Sequence, residues 1–150
     1  MVDFVHLHLH TQYSILDGAC RIRDMIAKAA ANGMQGAAIT DHGNLFGVME
    51  FAEAAKKTPG FKPVFGCETY VARRRLSDKT DPLDRKGEHL ILLAKNLTGY
   101  RNLVKLISHS WTEGHYYKPR IDKELLVQHH EGLIASSACL AGEIPRAIAA

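Results

Sequence analysis

Strand-like and helix-like patterns alternate along the 150 residues of this chain, which predicts an α/β domain with a parallel sheet at its centre. Two observations carry this prediction. Short apolar runs of strand length recur along the chain, and most are followed by a segment whose apolar residues have helical spacing. Because parallel strands need helical crossovers between them, we expect either a doubly wound sheet or a barrel.

The first half of the chain contains three predicted strands and two predicted helices. We predict strands over residues 2–9, 36–40 and 62–72. Apolar residues at helical spacing predict a helix that begins near Ile22 and ends at Asn32-Gly33, a favoured helix C-terminus. Asn44 is the expected N-cap of a second helix, and Pro59-Gly60 should end it.

The second half continues the alternation. A charged segment without periodicity, residues 73–87, leads to a predicted strand over 90–94. A long helix is predicted by the spacing of Tyr100, Leu103, Val104, Ile107 and Trp111. The pattern ends with three more predicted elements: a helix over 122–130, a strand over 133–136 and a helix from residue 142. The last residues continue that helix without a C-cap, so we expect the chain to be a piece of something longer.

The composition is that of an ordinary globular domain. Hydrophobic residues make up 46% and charged residues 23% of the chain, which is long enough to bury a sizeable core. No apolar run is long enough to span a bilayer, and we expect no signal peptide because the chain opens directly into a strand. The formal net charge of +3 permits a nucleic-acid partner without requiring one.

The three cysteines, Cys20, Cys67 and Cys139, are odd in number and lack Cys-x-x-Cys spacing. This usage argues against a disulfide framework and fits a reducing compartment. We therefore expect a cytoplasmic location.

Histidine is unusually frequent, with nine residues in the chain, about twice average usage. His6, His8 and His10 alternate with apolar residues, so on a strand all three would project from one face. A row of imidazoles offers nitrogen ligands to a transition metal. The alternative is a set of surface histidines on a solvated sheet face.

Other chemistry-bearing side chains follow the predicted strands, where parallel α/β folds gather their ligand-binding residues. The candidates are His8, His10, Asp17, Asp41, His42, Glu68 and Cys139. Imidazole, carboxylate and thiolate together suit zinc, manganese or iron. Carboxylates placed between imidazoles also suit a site with more than one metal, as in phosphoester hydrolysis.

Each candidate also has a purely structural explanation. Asp17 could form a turn with Gly18 or cap the following helix, and Cys139 could be a small buried hydrophobe. Glu68 could pair with an arginine of the 73–75 run. Asp41 could orient a ligand histidine without binding metal. We expect His109, His115, His129 and His130 to be surface or helix-end residues.

Four stretches carry a family resemblance: FVHLHLHT (4–11), ITDHGNLFG (39–47), GCETYV (66–71) and YYKPRID (116–122). In order and over nearly the whole chain, they resemble the PHP (polymerase and histidinol phosphatase) family. The likeness is to the N-terminal PHP domains of bacterial DNA polymerase III alpha subunits. It implies a distorted (β/α)₇ barrel, of which residues 1–150 would be roughly the first two-thirds.

The resemblance also implies up to three divalent metal ions at the barrel mouth. By motif, the ligands would be His8, His10, Asp17, His42, Glu68, His89 and Cys139. His89 is selected only by the resemblance, because it begins its predicted strand where a ligand should end one. His6 would be a neighbour of the site. An Asp-x-His pair that completes the family's ligand set, and the polymerase acids, would lie beyond residue 150, so we expect that this fragment cannot polymerise DNA.

The implied activity is removal of 3′-terminal nucleotides, a 3′–5′ exonuclease proofreading function within DNA replication. One alternative is a metal-stabilised scaffold that docks other polymerase III holoenzyme subunits, including a separate proofreading subunit. Another is a free-standing phosphatase of the histidinol-phosphatase type, against which the polymerase-type stretches 98–102 and 116–122 argue.

Basic residues that could contact a DNA backbone are Arg73, Arg74, Arg75, Lys79, Arg85, Lys86, Lys118 and Arg120, the last two beside Tyr116 and Tyr117. The basic residues within 73–86 are interrupted by three acidic ones, which lower the net positive charge of this segment: Asp78, Asp81 and Asp84. A plain solvated loop is an equal alternative for residues 73–87.

Overall fold

The computed structural model describes residues 4–150, which form a mixed sheet with helices packed against it. The strands are β1 (Gly36–Ile39), β2 (Lys62–Val71), β3 (Glu88–Ala94), β4 (Arg120–Ile121) and β5 (Leu133–Ser136). The helices are α1 (Ile22–Ala31), α2 (Val48–Lys56), α3 (Leu97–Thr112), α4 (Lys123–Gln128) and α5 (Glu143–Ala149). Within residues 4–150, every helix is too short or too polar to cross a bilayer.

The sheet is not wholly parallel, and this part of the prediction is wrong. Its order is β1-β2-β3-β5, with β4 also beside β2. β1 and β4 run parallel to β2, whereas β3 is antiparallel to both β2 and β5. The link from β2 to β3 contains only a short 3₁₀ turn, Pro82–Arg85, instead of a helical crossover. Without a crossover the chain folds back and pairs antiparallel.

The predicted first strand is also largely absent among the described residues. Residues 2 and 3 of that segment lie outside them, and residues 4–9 make one isolated bridge, from His6 to Ala37. Leu9 donates its N–H to the hydroxyl of Thr40 (2.9 Å), so a side chain replaces a backbone ladder partner. The three histidines therefore have different partners: His6 packs edge-on against Phe4 at 4.8 Å, whereas the rings of His8 and His10 lie 5.1 Å from each other.

Two hydrophobic clusters hold the helices to the sheet. Ile22 and Ile26 of α1 pack with Phe51 of α2 and Ile39 of β1. In the second cluster, α3 packs on β2 and β3 through Leu103, Leu106, Ile107, Cys67 and Leu92. The predicted spacing of α3 is correct in part, because Val104 and Trp111 are exposed.

Helix ends differ from the prediction at two points. α2 begins at Val48, so Asn44 is not its N-cap. Asn44 instead accepts from the Phe46 N–H and donates to the carbonyls of Tyr13 and His42, which shapes the turn after β1. α4 is shorter than predicted and is capped by Asp122, which accepts from the Leu125 N–H at 2.8 Å.

Arg120 ties the long 72–87 loop to the sheet. Its side chain is fully buried and donates to the carbonyls of Gly114, Asp84, Leu76 and Asp78 at 2.8–3.1 Å. The prediction that Arg120 contacts DNA is therefore wrong, since none of its donors faces solvent. Its position in two-residue β4 makes it an anchor for this loop.

Candidate metal centre

A single buried carboxylate, that of Glu68 on β2, is the hub of the site. Its side chain is 1% exposed. Oε2 accepts from His8 Nε2 at 2.9 Å and lies 2.8 Å from His10 Nε2. Oε1 accepts from His89 Nδ1 at 2.8 Å. His42 Nδ1 lies 3.6 Å from Oε2, so four imidazoles converge on one side chain.

The antiparallel course of β3 explains how His89 reaches this hub. Tyr70 pairs with His89 and Glu68 pairs with Ile91 in the β2–β3 register. The beginning of β3 therefore lies beside the end of β2, where a parallel strand would place its own end. This is the feature that the strand pattern could not select.

Backbone bonds fix the turn that carries His42 against β2. Gly43 donates to the carbonyl of Glu68 at 2.9 Å, and Glu68 donates to the carbonyl of Asp41 at 3.1 Å. Gly43 has φ +61°, and a Cβ there would lie 2.6 Å from the ring of Pro119. Only glycine fits this turn without displacing the neighbouring loop.

The remaining predicted ligands join the cluster at its two ends. Asp17 Oδ2 lies 3.0 Å from His42 Nε2 and 3.9 Å from His10 Nδ1. Cys139 Sγ lies 3.4 Å from His89 Nδ1 and 3.7 Å from a Glu68 oxygen. All seven candidate ligands are therefore brought together. Cys139 is exposed, so it is not a buried hydrophobe. Arg73 pairs with Glu88 and Arg74 pairs with Asp84, so the predicted alternative of an arginine partner for Glu68 is not what the structure shows.

Asp41 has a different partner from the one predicted. Its buried carboxylate accepts from the N–H and the hydroxyl of Thr11, at 2.5 and 2.7 Å, and within residues 4–150 it bonds no imidazole. Burial raises the pKa of Asp41. Because Thr11 follows His10 directly, Asp41 fixes the backbone that carries that histidine.

Two neighbouring residues were missed at the sequence level. The hydroxyl of Ser14 lies 3.0 Å from His10 Nδ1, and it donates there when Nε2 donates to Glu68. Tyr70 stacks on His42, with ring centroids 5.5 Å apart. A signal existed for both: Ser14 lies four residues after His10, and Tyr70 shares a strand face with Glu68.

Electrostatics make the hub anionic. Burial by itself raises the pKa of Glu68, but hydrogen bonds from His10, His89 and His8 outweigh it and hold that pKa far below its usual range. The bond to Glu68 raises the pKa of His10, whereas burial lowers the pKa of His42. An ionised carboxylate ringed by imidazoles attracts a cation.

The donor set fits a divalent metal. His8 and His10 place their Nε2 atoms 3.0 Å apart against the same oxygen, which crowds two N–H donors. His42 Nδ1 is buried and has no hydrogen-bond partner among the described residues. Ligand atoms around tetrahedral zinc are about 3.3 Å apart, given bonds of about 2.0–2.1 Å. Ligand atoms within 4.8 Å of one another form three overlapping triads: His8-His10-Glu68, His10-Asp17-His42 and His42-Glu68-His89.

A cleft of about 620 Å³ opens beside this cluster. Asp17, His42 and His89 line it on the side of the cluster. Its other described lining residues include four basic side chains: Arg85, Lys86, Lys118 and Arg146. Three of the eight basic residues predicted to contact DNA therefore face the cleft. The other four, besides the buried Arg120, do not line it.

The chain matches known proteins in sequence and in fold. The sequence model of the PHP domain family matches residues 6–150. DNA polymerase III subunit alpha of Borreliella burgdorferi is 53% identical over 98% of this chain, and that of Treponema pallidum is 49% identical over 96%. The chain spans only 13% and 12% of those two relatives.

One solved structure supports the fold. A Bifidobacterium adolescentis protein assigned as a metal-dependent phosphoesterase superposes with a TM-score of 0.50 at 21% identity. The superposition covers 73% of this chain and 34% of that one. Together with the family match, it confirms the predicted α/β fold of the PHP type.

Proposed function

Because this chain belongs to the PHP domain family, we propose that it is the N-terminal PHP domain of a DNA polymerase III alpha subunit and carries a phosphoesterase site of several metals. We further propose that it forms roughly the first two-thirds of that domain. The observation that carries this proposal is the convergence of four imidazoles and a thiol on Glu68, with the Asp17 carboxylate beside His42, next to a basic cleft.

The seven clustered side chains would hold up to three ions of zinc, manganese or iron. They are His8, His10, Asp17, His42, Glu68, His89 and Cys139. Bound divalent metals supply Lewis-acid polarisation of a phosphoryl oxygen and lower the pKa of water into the neutral range.

The chain's own residues bind and orient the phosphodiester. Lys118 and Arg85 are held over the rings of Tyr70 and Tyr117, at 5.1 and 5.0 Å, which fixes two cations at the cleft. Burial raises the pKa of Tyr70 to about 12, so its hydroxyl stays protonated as a donor at neutral pH. Asp41, through Thr11, keeps His10 in place.

The proposed reaction is hydrolysis of the 3′-terminal phosphodiester of DNA, a 3′–5′ exonuclease activity that proofreads replication in the cytoplasm. The test is release of 3′-terminal nucleotides from a 5′-labelled single strand by the full-length alpha subunit. We expect His8→Ala to lower the rate by about two orders of magnitude. His109→Ala is the matched control, because His109 lies on α3 and pairs with Glu113.

Equal rates for His8→Ala and the parent subunit would contradict the catalytic assignment. The domain would then be a metal-stabilised scaffold for DNA and for other holoenzyme subunits, such as a separate proofreading subunit. Activity on a small phosphoester far above that on a DNA end would contradict the choice of substrate.

A further inference from the structure

We infer that the cleft contains a nucleobase subsite, formed by Phe46 and Trp111, which stacks an unpaired base of a single-stranded nucleic acid. This inference rests on the proposed function, since it specifies what the substrate presents next to the scissile phosphate. The subsite uses no metal ligand.

The first support is the exposure of two large aromatic rings in one cleft. Phe46 is 59% and Trp111 is 45% exposed, and both line the cleft. Their ring centroids are 6.5 Å apart at an interplanar angle of 34°, so the pair forms a broad, angled platform. Two large aromatics that stay exposed side by side in one cleft form an apolar patch of the kind that marks a binding surface.

The second support is the fixed position of Trp111. Its Nε1–H donates to the carbonyl of Gly43 at 2.8 Å, and the ring of His115 stacks on it at 5.4 Å and 21°. Gly43 follows His42, one of the proposed ligands. The indole is therefore held rigidly beside the metal centre, and a rigid ring loses little entropy when it stacks on a ligand.

The third support is the charge of the same cleft. Four basic side chains and one carboxylate line it among the described residues, and that carboxylate, Asp17, is paired with His42. Aromatic platforms combined with cations that track a backbone are the usual means of binding single strands. A purely apolar partner would leave these cations without a counter-charge.

Trp111 is the only tryptophan of this chain, so its fluorescence reports directly on the platform. The experiment titrates the 150-residue chain, in EDTA, with hexathymidylate and with an abasic hexamer of the same backbone. We expect hexathymidylate to quench the emission and to bind about tenfold more tightly than the abasic strand.

Phe46→Ala should remove most of this preference for bases, by about fivefold or more. Phe4→Ala is the matched control, because Phe4 is also exposed but does not line the cleft. Equal binding of both strands would overturn the inference, since phosphates alone would then account for it. Unchanged emission with both strands would also overturn the inference, because the aromatic pair would then bind no nucleobase and would fit a protein partner instead.

Metal-dependent hydrolysis of bis(p-nitrophenyl) phosphate by the full-length alpha subunit separates this inference from the proposed function, because this ester has no nucleobase. Phe46→Ala should retain that activity and His8→Ala should lose it. Base stacking by the 150-residue chain together with no ester hydrolysis by the full-length subunit would contradict the proposed function and leave the subsite standing.

Discussion

At the scale of single residues, Glu68 determines the site, because one ionised carboxylate accepts hydrogen bonds from three imidazoles on two separate segments. Glu68→Gln keeps the size of the side chain but removes its charge. We expect metal affinity to fall by about 10- to 100-fold, measured by competition with a chelator. Glu113→Gln, at an exposed glutamate that also pairs with a histidine, should bind metal like the unmodified chain. Equal affinity for Glu68→Gln would show that Glu68 is not a ligand.

The basic residues of the cleft allow a second residue-scale prediction. Lys118→Ala removes a cation that lies over Tyr70, so the slope of log affinity against log salt for single-stranded DNA should decrease by about 1. Lys56→Ala, at an exposed lysine on α2, should leave the slope unchanged. Binding isotherms by fluorescence anisotropy at several salt concentrations measure both. An unchanged slope for Lys118→Ala would place the DNA elsewhere.

At the scale of elements, the 72–87 loop depends on two arginines. Arg120→Met would leave four buried or part-buried carbonyls without their donor, and we expect a loss of about 3 kcal/mol in the free energy of unfolding. Arg101→Met, an exposed position on α3, is the control and should change stability little. Urea denaturation measures both. A loss below about 1 kcal/mol would mean that the loop is anchored by other contacts.

Arg74 and Asp84 give this loop a pH dependence. The bond from Arg74 lowers the pKa of Asp84 to about 2 from its ordinary 3.8. A lowered carboxyl pKa stabilises the folded chain above about pH 3.8, and this contribution is lost as the pH falls toward 2. Asp84→Asn should therefore be less stable than the unmodified chain at pH 7, and the difference should narrow from about pH 5 to about pH 3. A constant difference in urea midpoint would contradict this account.

Elements with strong periodic signals were predictable. β5 lies at 133–136 as predicted, and α1 begins at Ile22 as predicted, because their apolar patterns are local. The direction of β3 in the sheet was not predictable, because nothing in the local sequence Glu88–Ala94 shows that this strand runs antiparallel to β2. β4 was not predictable either, because its two residues are too few to show an alternating hydrophobic pattern. The first strand was overpredicted because the Thr40 hydroxyl, 31 residues away, takes the Leu9 N–H.

At the scale of the whole molecule, the sheet and the loops place two chemistries side by side. Segments far apart in sequence deliver His8, His42, Glu68, His89 and Cys139 to one point. The cleft next to that point is basic and aromatic. The candidate ligands were predictable from motif, but the cleft was not, because Arg85, Trp111 and Arg146 come from three elements with no shared pattern.

The most direct test of the metal centre is the metal content of this chain, by elemental analysis of protein purified without a His tag or a metal column. We predict about one or more equivalents of zinc, manganese or iron per chain, lost in His8→Ala/His10→Ala. The matched control is His109→Ala/His129→Ala, a stacked pair outside the cluster, which should keep its metal. Folded protein without metal, or metal retained in His8→Ala/His10→Ala, would contradict the central claim.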